Sequence, residues 1–527
     1  MTSVTLSNQT IIDEASRRRS IAVISHPDAG KSTLTEALAL HAKVISEAGA
    51  VHGRGNRAGV VSDWLDIEKK RGISITSAAL QFEYRGLVIN LLDTPGHADF
   101  SEDTYRVLTA VDAAVMLIDS SKGLEPQTLK LFEVCRQRGV PVITFINKWD
   151  RLGKEALELC DELTERINLT PTPITWPIGR AGEMKGIIDL RDRSVTFYER
   201  APGGATLALS ETVTLDEALT RHPEDVTEAI EASGLLGEYD PVTFHEGTTS
   251  PLLFGAALTN IGVSELLSVV ETVAPSPGPR ALANGTPRPI DAPFSGFVFK
   301  MQAGMDRAHR DHLAFVRVCS GQFTRGMTVV QERTGRSFAT KYALSVFGRD
   351  RSTIETAYPG DVVGLVNASS LHVGDTIHST DSPGGSYPPM PHFETEHFST
   401  VRVKDPSQSK QFRKGIAQLE QEGVIQILIS ENRGDASPIL AAVGPLQFEV
   451  AAFRMEQEFH APIITDHLEY SVARNASAAD VAAISGTLGV EIARRSNGTA
   501  VALIRDKWRL KTLMTNHPTL FAEAQPQ

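Results

Sequence analysis

A chain of 527 residues with 41% apolar and 22% charged residues has the balance of globular proteins, and at that length about three or four domains are expected rather than one core. Its net charge of −12 excludes a protein that coats DNA or RNA non-specifically, since neutralising phosphates takes surplus Lys and Arg, although a local basic patch on structured RNA stays open. Cys135, Cys160 and Cys319 have neither metal-ligand spacing nor a disulfide framework, and no signal-peptide core or membrane-length apolar run is present, so a cytoplasmic protein without membrane contact is expected.

In chain order, Arg17-Arg18-Arg19 reads as a solvated cap before the first strand, with RNA contact as the alternative. Ile21–Ile24 is an unbroken apolar run, followed by a loop and a helical stretch from Ser32 to His41. Leu87–Leu92, Ala113–Ile118, Val142–Ile146 and Leu252–Phe254 are further such runs, the last preceding a helical Val263–Val273. Unbroken apolar strands separated by helices indicate a parallel sheet covered on both faces. Residues 1–276 are therefore read as one α/β domain with a parallel-rich sheet, carrying an insertion at about 170–250. The six prolines between Ala274 and Pro293 mark a semi-rigid linker at 277–293 that should continue neither helix nor sheet. Short β-rich runs punctuated by Ser320-Gly321, Pro359-Gly360 and Gly374-Asp375 over 294–381 suggest a β-barrel. A second linker, 382–391, leads into 392–527, where apolar stripes Phe412/Ile416/Leu419 and Leu446/Val450/Phe453 alternate with strands in a split βαβ, α+β pattern. The remainder, through Trp508 and Leu513, reads as mixed α/β.

The strongest motif is Ser25-His26-Pro27-Asp28-Ala29-Gly30-Lys31-Ser32-Thr33, after a strand and opening a helix. In such a P-loop the curled backbone presents N–H groups to phosphates, aided by the helix N-terminus. Lys31 would reach the β- and γ-phosphates and Ser32 would coordinate Mg²⁺. Ser25 stands where the pattern normally has Gly. Asp93-Thr94-Pro95-Gly96-His97 follows the next strand; Asp93 would hold the Mg²⁺ shell through water and the Gly96 N–H would sense a γ-phosphate. Asn147-Lys148-Trp149-Asp150 ends another strand, with Asp150 accepting from the guanine N1–H and amine. Adenine lacks that donor pair, so the motif separates GTP from ATP. Three motifs in order, each at a strand's carboxyl end, point to GTP/GDP binding.

This arrangement resembles the translational GTPases. The resemblance implies that Arg71-Gly72-Ile73-Ser74-Ile75 is the first switch, with the Ser74 hydroxyl on Mg²⁺ in place of the usual Thr. It implies that His97 orients or activates the attacking water, beside a hydrophobic gate at Ile73 and Pro27, where other members have an aliphatic residue instead of Pro27. It also places the base-contacting loop at Gly255-Ala256-Ala257, with the Ala257 N–H reaching the base and Ala256 replacing the family's Ser. Within this family Met305–Asp311, Ser101–Arg106 and Gly444–Phe448 are similar to the class II peptide-chain release factors. That subfamily implies a monomeric, ribosome-stimulated GTPase that dissociates and recycles class I release factors after peptide release, meeting large-subunit rRNA near its GTPase site. A GTP-gated ribosome-binding module with little hydrolysis is the alternative, as is a translocase-like or ribosome-protection GTPase. The translocase would need a tRNA-reaching domain beyond the single α/β domain that ends at Gln527, and the aminoacyl-tRNA carrier would need a second barrel.

Overall fold

The computed structural model describes residues 8–42, 78–95, 97–198, 210–303, 312–345, 352–366, 368–390, 395–434 and 437–521. Ile73, Ser74, Gly96 and the Met305–Asp311 signature lie outside the described residues.

Strands β1 (Arg18–Ser25), β2 (Ala78–Tyr84), β3 (Leu87–Asp93), β4 (Ala113–Asp119) and β5 (Val142–Asn147) begin the first sheet. Among the described residues it has seven strands in the order β2, β3, β1, β4, β5, Thr249–Phe254, Thr170–Pro173. Every pairing is parallel except β2 with β3. The apolar runs are unbroken because both faces are covered: Ile21, Val23, Leu91, Val115 and Phe145 pack under the helices Lys31–His41 and Val263–Thr272, while Ala22, Ile24, Met116 and Ile146 pack on the other side.

Part of the stretch read as an insertion is the edge of this sheet. Thr170–Pro173 pairs with Thr249–Phe254, and the edge position is what tolerates Pro171 and Pro173, which cannot donate to a ladder on both sides. Beyond it, Thr175–Ile178, Gly186–Asp189, Ser194–Tyr198 and Ser210–Thr214 form an antiparallel sheet. The acidic stretch that follows folds into the helices Leu215–Arg221 and Pro223–Ser233.

The proline-rich linker departs from the expectation that it would hold no sheet. Arg280–Ala281 pairs with Pro287–Arg288 as a small hairpin. Arg288 explains its order: the buried guanidinium donates to Ser320 Oγ at 2.9 Å, Ser382 Oγ at 2.7 Å and the Pro293 carbonyl at 2.9 Å. One side chain thus ties both linkers to the following domain. That domain is a curled antiparallel sheet, running in the described residues through Arg336–Ala339, Thr328–Gln331, Thr376–Ser379, Ser295–Ala303, His312–Ser320, Val362–Val366 and Ala343–Ser345. Phe294, Val298, Val316, Val329, Val363 and Ile377 fill its interior.

The third domain has strands His397–Val403, Gln426–Ser430, Ile439–Ala442 and Ile463–His467, with the helices Ser409–Glu422 and Leu446–Gln457 between them. Their lateral order and antiparallel pairing are those of a split βαβ unit. The remainder extends this same sheet with Val490–Arg495, Ala500–Ile504 and Val472–Asn475.

The arginine run is only in part a solvated cap: Arg17 is exposed and Arg19 half-buried. Arg18 is buried, with Nε 2.8 Å from Asp361 Oδ2 and its guanidinium over the Tyr358 ring. Asp361, on the barrel, also accepts from Gln81 at 3.0 Å and Asn90 at 3.3 Å. Burying an unpaired guanidinium is costly, so this carboxylate fixes where the barrel seats against β1, β2 and β3. Arg317 is buried from the opposite direction, donating to both oxygens of Asp112 at 2.7 and 2.8 Å.

Candidate nucleotide site

The phosphate loop leaves β1 at Ser25 and enters the helix Lys31–His41. Gly30, at φ 99°, sits in left-handed backbone, and a Cβ there would lie 2.5 Å from Asn147 Nδ2, so glycine is required by both conformation and space. Asp28 turns with φ 65°, a cost Asp tolerates better than most residues. Asn147 Nδ2 donates to the Ala29 carbonyl at 2.8 Å, and the Lys148 ammonium donates to the Asp28 carbonyl. The two loops that the motifs identify separately are thus tied to each other. Ser25 Oγ and His26 Nδ1 are buried without a hydrogen-bond partner among the described residues, while His26 Nε2 lies 3.1 Å from Glu125. Pro27 is half-buried, and Ser32 and Thr33 lie in the first turn of the helix.

The loop after β5 is held from below. The Trp149 indole is buried, stacks edge-on against Phe254 at 4.9 Å and donates to the Gly179 carbonyl at 3.2 Å. Its side chain therefore wedges the loop rather than facing a nucleotide. Asp150 is half-buried just past the carboxyl end of β5. The Ala257 N–H donates to Asn147 Oδ1 at 2.8 Å, so in this conformation it fixes Asn147 rather than pointing at a base. Ala256 is buried in the same loop, pairing with Ile261.

At the end of β3, Asp93 and Lys31 are both almost fully buried, 2.6 Å apart. Thr94 Oγ donates to the Val23 carbonyl at 2.6 Å, anchoring the strand end before Pro95. His97 is partly exposed, its Nδ1 3.3 Å from both the Asp99 N–H and Asp99 Oδ1. The Oδ2 of the same Asp99 accepts the Leu446 N–H at 2.7 Å, capping the helix Leu446–Gln457 of the third domain. Phe100 packs with Leu446 and Val450, and Arg106 donates to the Glu422 carbonyl at 3.2 Å.

Comparison with known proteins decides which family carries this architecture. The profile described as "Elongation factor Tu GTP binding domain" matches residues 16–276, "Elongation factor G domain 2" matches 293–380, and "Class II release factor RF3, C-terminal domain" matches 387–514. Proteins named peptide chain release factor 3 are similar over nearly the whole length. The one from Nostoc punctiforme is 44% identical, covering 97% of this chain and 95% of its own. Those from Gloeobacter violaceus and Symbiobacterium thermophilum are each 42% identical, covering 99% and 98% of this chain and 100% and 99% of theirs. The chain belongs to the peptide chain release factor 3 family. A crystal structure from Thermus thermophilus superposes with a TM-score of 0.70 at 22% identity, over 87% of this chain and 68% of that one, and speaks to the fold alone.

As a member of this family the chain is a translation-termination GTPase: it binds guanine nucleotide, hydrolyses GTP and interacts with the ribosome. No described helix is long and apolar enough to cross a membrane. In this setting the structure adds a residue that the motifs passed over. Asp119, at the end of β4, lies 2.7 Å from Lys148 Nζ and accepts from the Ser121 N–H and hydroxyl at 2.9 and 2.6 Å. Burial pushes its carboxyl up, but the hydrogen bonds from Lys148 and Ser121 outweigh that and hold it below the ordinary carboxylate range. An ionised Asp119 thus fixes the Lys148 ammonium under the phosphate loop. The available signal was its place: a carboxylate at the carboxyl end of a central parallel strand, where ligands of such sheets bind.

Proposed function

We propose that this GTPase engages the ribosome after peptide release, displaces a class I release factor in its GTP form, and departs after hydrolysis. The carrying observation is Asp99. One carboxylate touches His97 and also caps a helix of the third domain, so a shift of the segment after Asp93 would reach that domain through Asp99, with Phe100 and Arg106 beside it. A nucleotide moves such an equilibrium only by its different affinity for two shapes; contacts shared between the site and the third domain give the two shapes a physical basis.

In this reading the loop Ser25–Thr33 cradles the phosphates, Lys31 exchanges its contact with Asp93 for phosphate oxygens, and Asp150 selects guanine. Ser32 and Asp93 supply oxygen donors suited to a hard cation that keeps several waters, and Asp93 already holds a positive charge at 2.6 Å. Ser32, Ser74 and water-linked Asp93 would hold Mg²⁺, whose charge would neutralise phosphate oxygens. His97 orients the water that attacks the γ-phosphorus.

The deciding experiment uses post-release ribosomes carrying a fluorescent class I factor. GTP with this protein should release the label, and GTP turnover should be low until ribosomes are added. Label that stays bound, or turnover indifferent to ribosomes, contradicts the reading. For the base, Asp150→Asn should lower the preference for GTP over bases lacking the N1–H and amine pair, measured by nucleotide competition.

A further inference from the structure

The last described helix of the third domain presents a surface that, among the described residues, neither the nucleotide site nor the domain contacts named above use. The helix Lys507–Asn516 buries Leu513 in a cluster with Ile484, Ile504 and Leu520, and Leu510 packs against that cluster. Helical spacing then turns Lys507, Trp508, Lys511 and Thr515 outward. Trp508 is 71% exposed, and Leu488, on the neighbouring turn, is 87% exposed. The turn lies against the helix: the position of Gly489 is within 4 Å of Arg505 and Arg509 side-chain atoms. An open indole is therefore flanked along the chain by Arg505, Lys507, Arg509 and Lys511, with an open leucine on the adjoining turn.

The local charge runs against that of the whole chain. Residues 471–521 hold seven Lys and Arg against three carboxylates, four of the cations within 505–511, in a protein of net charge −12. All three carboxylates are engaged within the domain. Asp480 accepts from Ser477 and from the Phe521 N–H, Glu491 is held by Arg433 and Tyr470, and Asp506 caps the Arg509 N–H. The one neighbouring acid, Glu469, is 3.7 Å from Arg505 with both side chains largely exposed, a pairing that screens little. Among the described residues Lys507 and Lys511 have no ion-pair partner.

We infer that this face docks on ribosomal RNA, with Trp508 stacking on an unstacked base and the surrounding cations meeting the adjacent phosphates. A flat exposed aromatic bordered by cations suits a looped RNA strand, where bases are splayed and backbone charge is dense. An acidic protein surface would use the cations but set the indole and Leu488 against carboxylates. The inference rests on the ribosome-bound role above and assigns one of its contacts.

The test measures binding to ribosomes with a non-hydrolysable GTP analogue. Trp508→Ala should weaken binding about tenfold and Trp508→Phe much less, as expected when stacking on a base is lost or kept. Lys507→Glu with Lys511→Glu should weaken it further and flatten the salt dependence by about one unit of slope for each phosphate contact removed. All these positions are exposed, so folding and GTP binding should be unchanged. The cysteines Cys135, Cys160 and Cys319 are buried, so Thr515→Cys offers a single accessible thiol for a tethered iron chelate. Hydroxyl radicals from it should cut rRNA over one short stretch. Variants that bind like wild type overturn the inference, and so does weakened binding with no RNA scission, which would make the neighbour a protein. Wild type that fails to bind ribosomes at all removes the role beneath it, a result distinct from either.

Discussion

The phosphate loop and the segment from His97 to Arg106 leave the same edge of the same sheet, yet they are anchored in opposite ways. The phosphate loop is tied into its own domain: Asn147 and Lys148 hold its carbonyls, and Asp119 holds Lys148. The His97–Arg106 segment is tied to the other domains. Asp99 and Arg106 bond the third domain, Phe100 packs into it, and Asp103 lies 3.7 Å from Lys300 of the barrel. Gly444 shows how tightly this contact is fitted, since a Cβ there would run into the Asp99 carboxylate. In the proposed function, the first region keeps its shape around a nucleotide and the second passes a change of shape onward.

The sharpest way to break this comparison is at its hinge. His97→Ala should lower single-turnover GTP hydrolysis on ribosomes by about 10²- to 10⁴-fold, the usual range for losing a group that handles the proton or the water. Nucleotide affinity should stay within about threefold of wild type, because among the described residues the polar contacts of His97 are with Asp99 rather than with the phosphate loop. A large loss of affinity would mean that the two regions are one unit. Lys31→Ala should do the reverse: GTP binding falls by about a hundredfold or more in a fluorescent-nucleotide titration, as expected when a charge-assisted phosphate contact is lost and buried Asp93 is left unpaired.

Asp99→Ala probes the transmission itself. It removes a helix cap across domains, worth about 1 kcal/mol, and should speed hydrogen exchange at residues 446–450. GTP hydrolysis should continue while release of the class I factor slows. If both fall equally, Asp99 serves His97 alone and the coupling runs elsewhere. Asp99→Asn, which keeps the acceptor oxygen, should restore most of the exchange protection.

Much of this was legible in the chain because parallel strands buried on both faces read as apolar runs, and phosphate loops need their Gly and Lys at fixed spacing. Asn147, which the structure ties to the phosphate loop, could be placed there from spacing for the same reason. What escaped depends on pairs distant in sequence. Arg18 reads as one of three surface arginines until Asp361, on another domain, is placed beside it. Trp149 sits inside a nucleotide motif but points into the core, where Phe254 and Gly179 meet it. Pro171 and Pro173 argue against a sheet until the strand proves to be an edge. Local pattern reports backbone needs and burial; it is silent on which remote partner satisfies a charge.

The smallest expected effect concerns pH and tests whether the rigid half owes its rigidity to an ionised Asp119. Its folded-state carboxyl lies below the ordinary value of 3.8, so the group contributes stability that is fully present above the unfolded pKa and is lost as pH falls through the folded one. Asp119→Asn cannot ionise and should lack this contribution throughout. The difference in thermal midpoint between wild type and Asp119→Asn should therefore be constant from about pH 7 to 5 and shrink below about pH 4. GTP affinity should follow the same pattern at neutral pH, with the Asn variant weaker because Lys148 is no longer held under the Asp28 carbonyl. A midpoint difference that grows on acidification would reverse the sign and show that Asp119 is stabilised in its protonated form, so that Lys148 would be positioned by the Asp28 carbonyl rather than by a carboxylate.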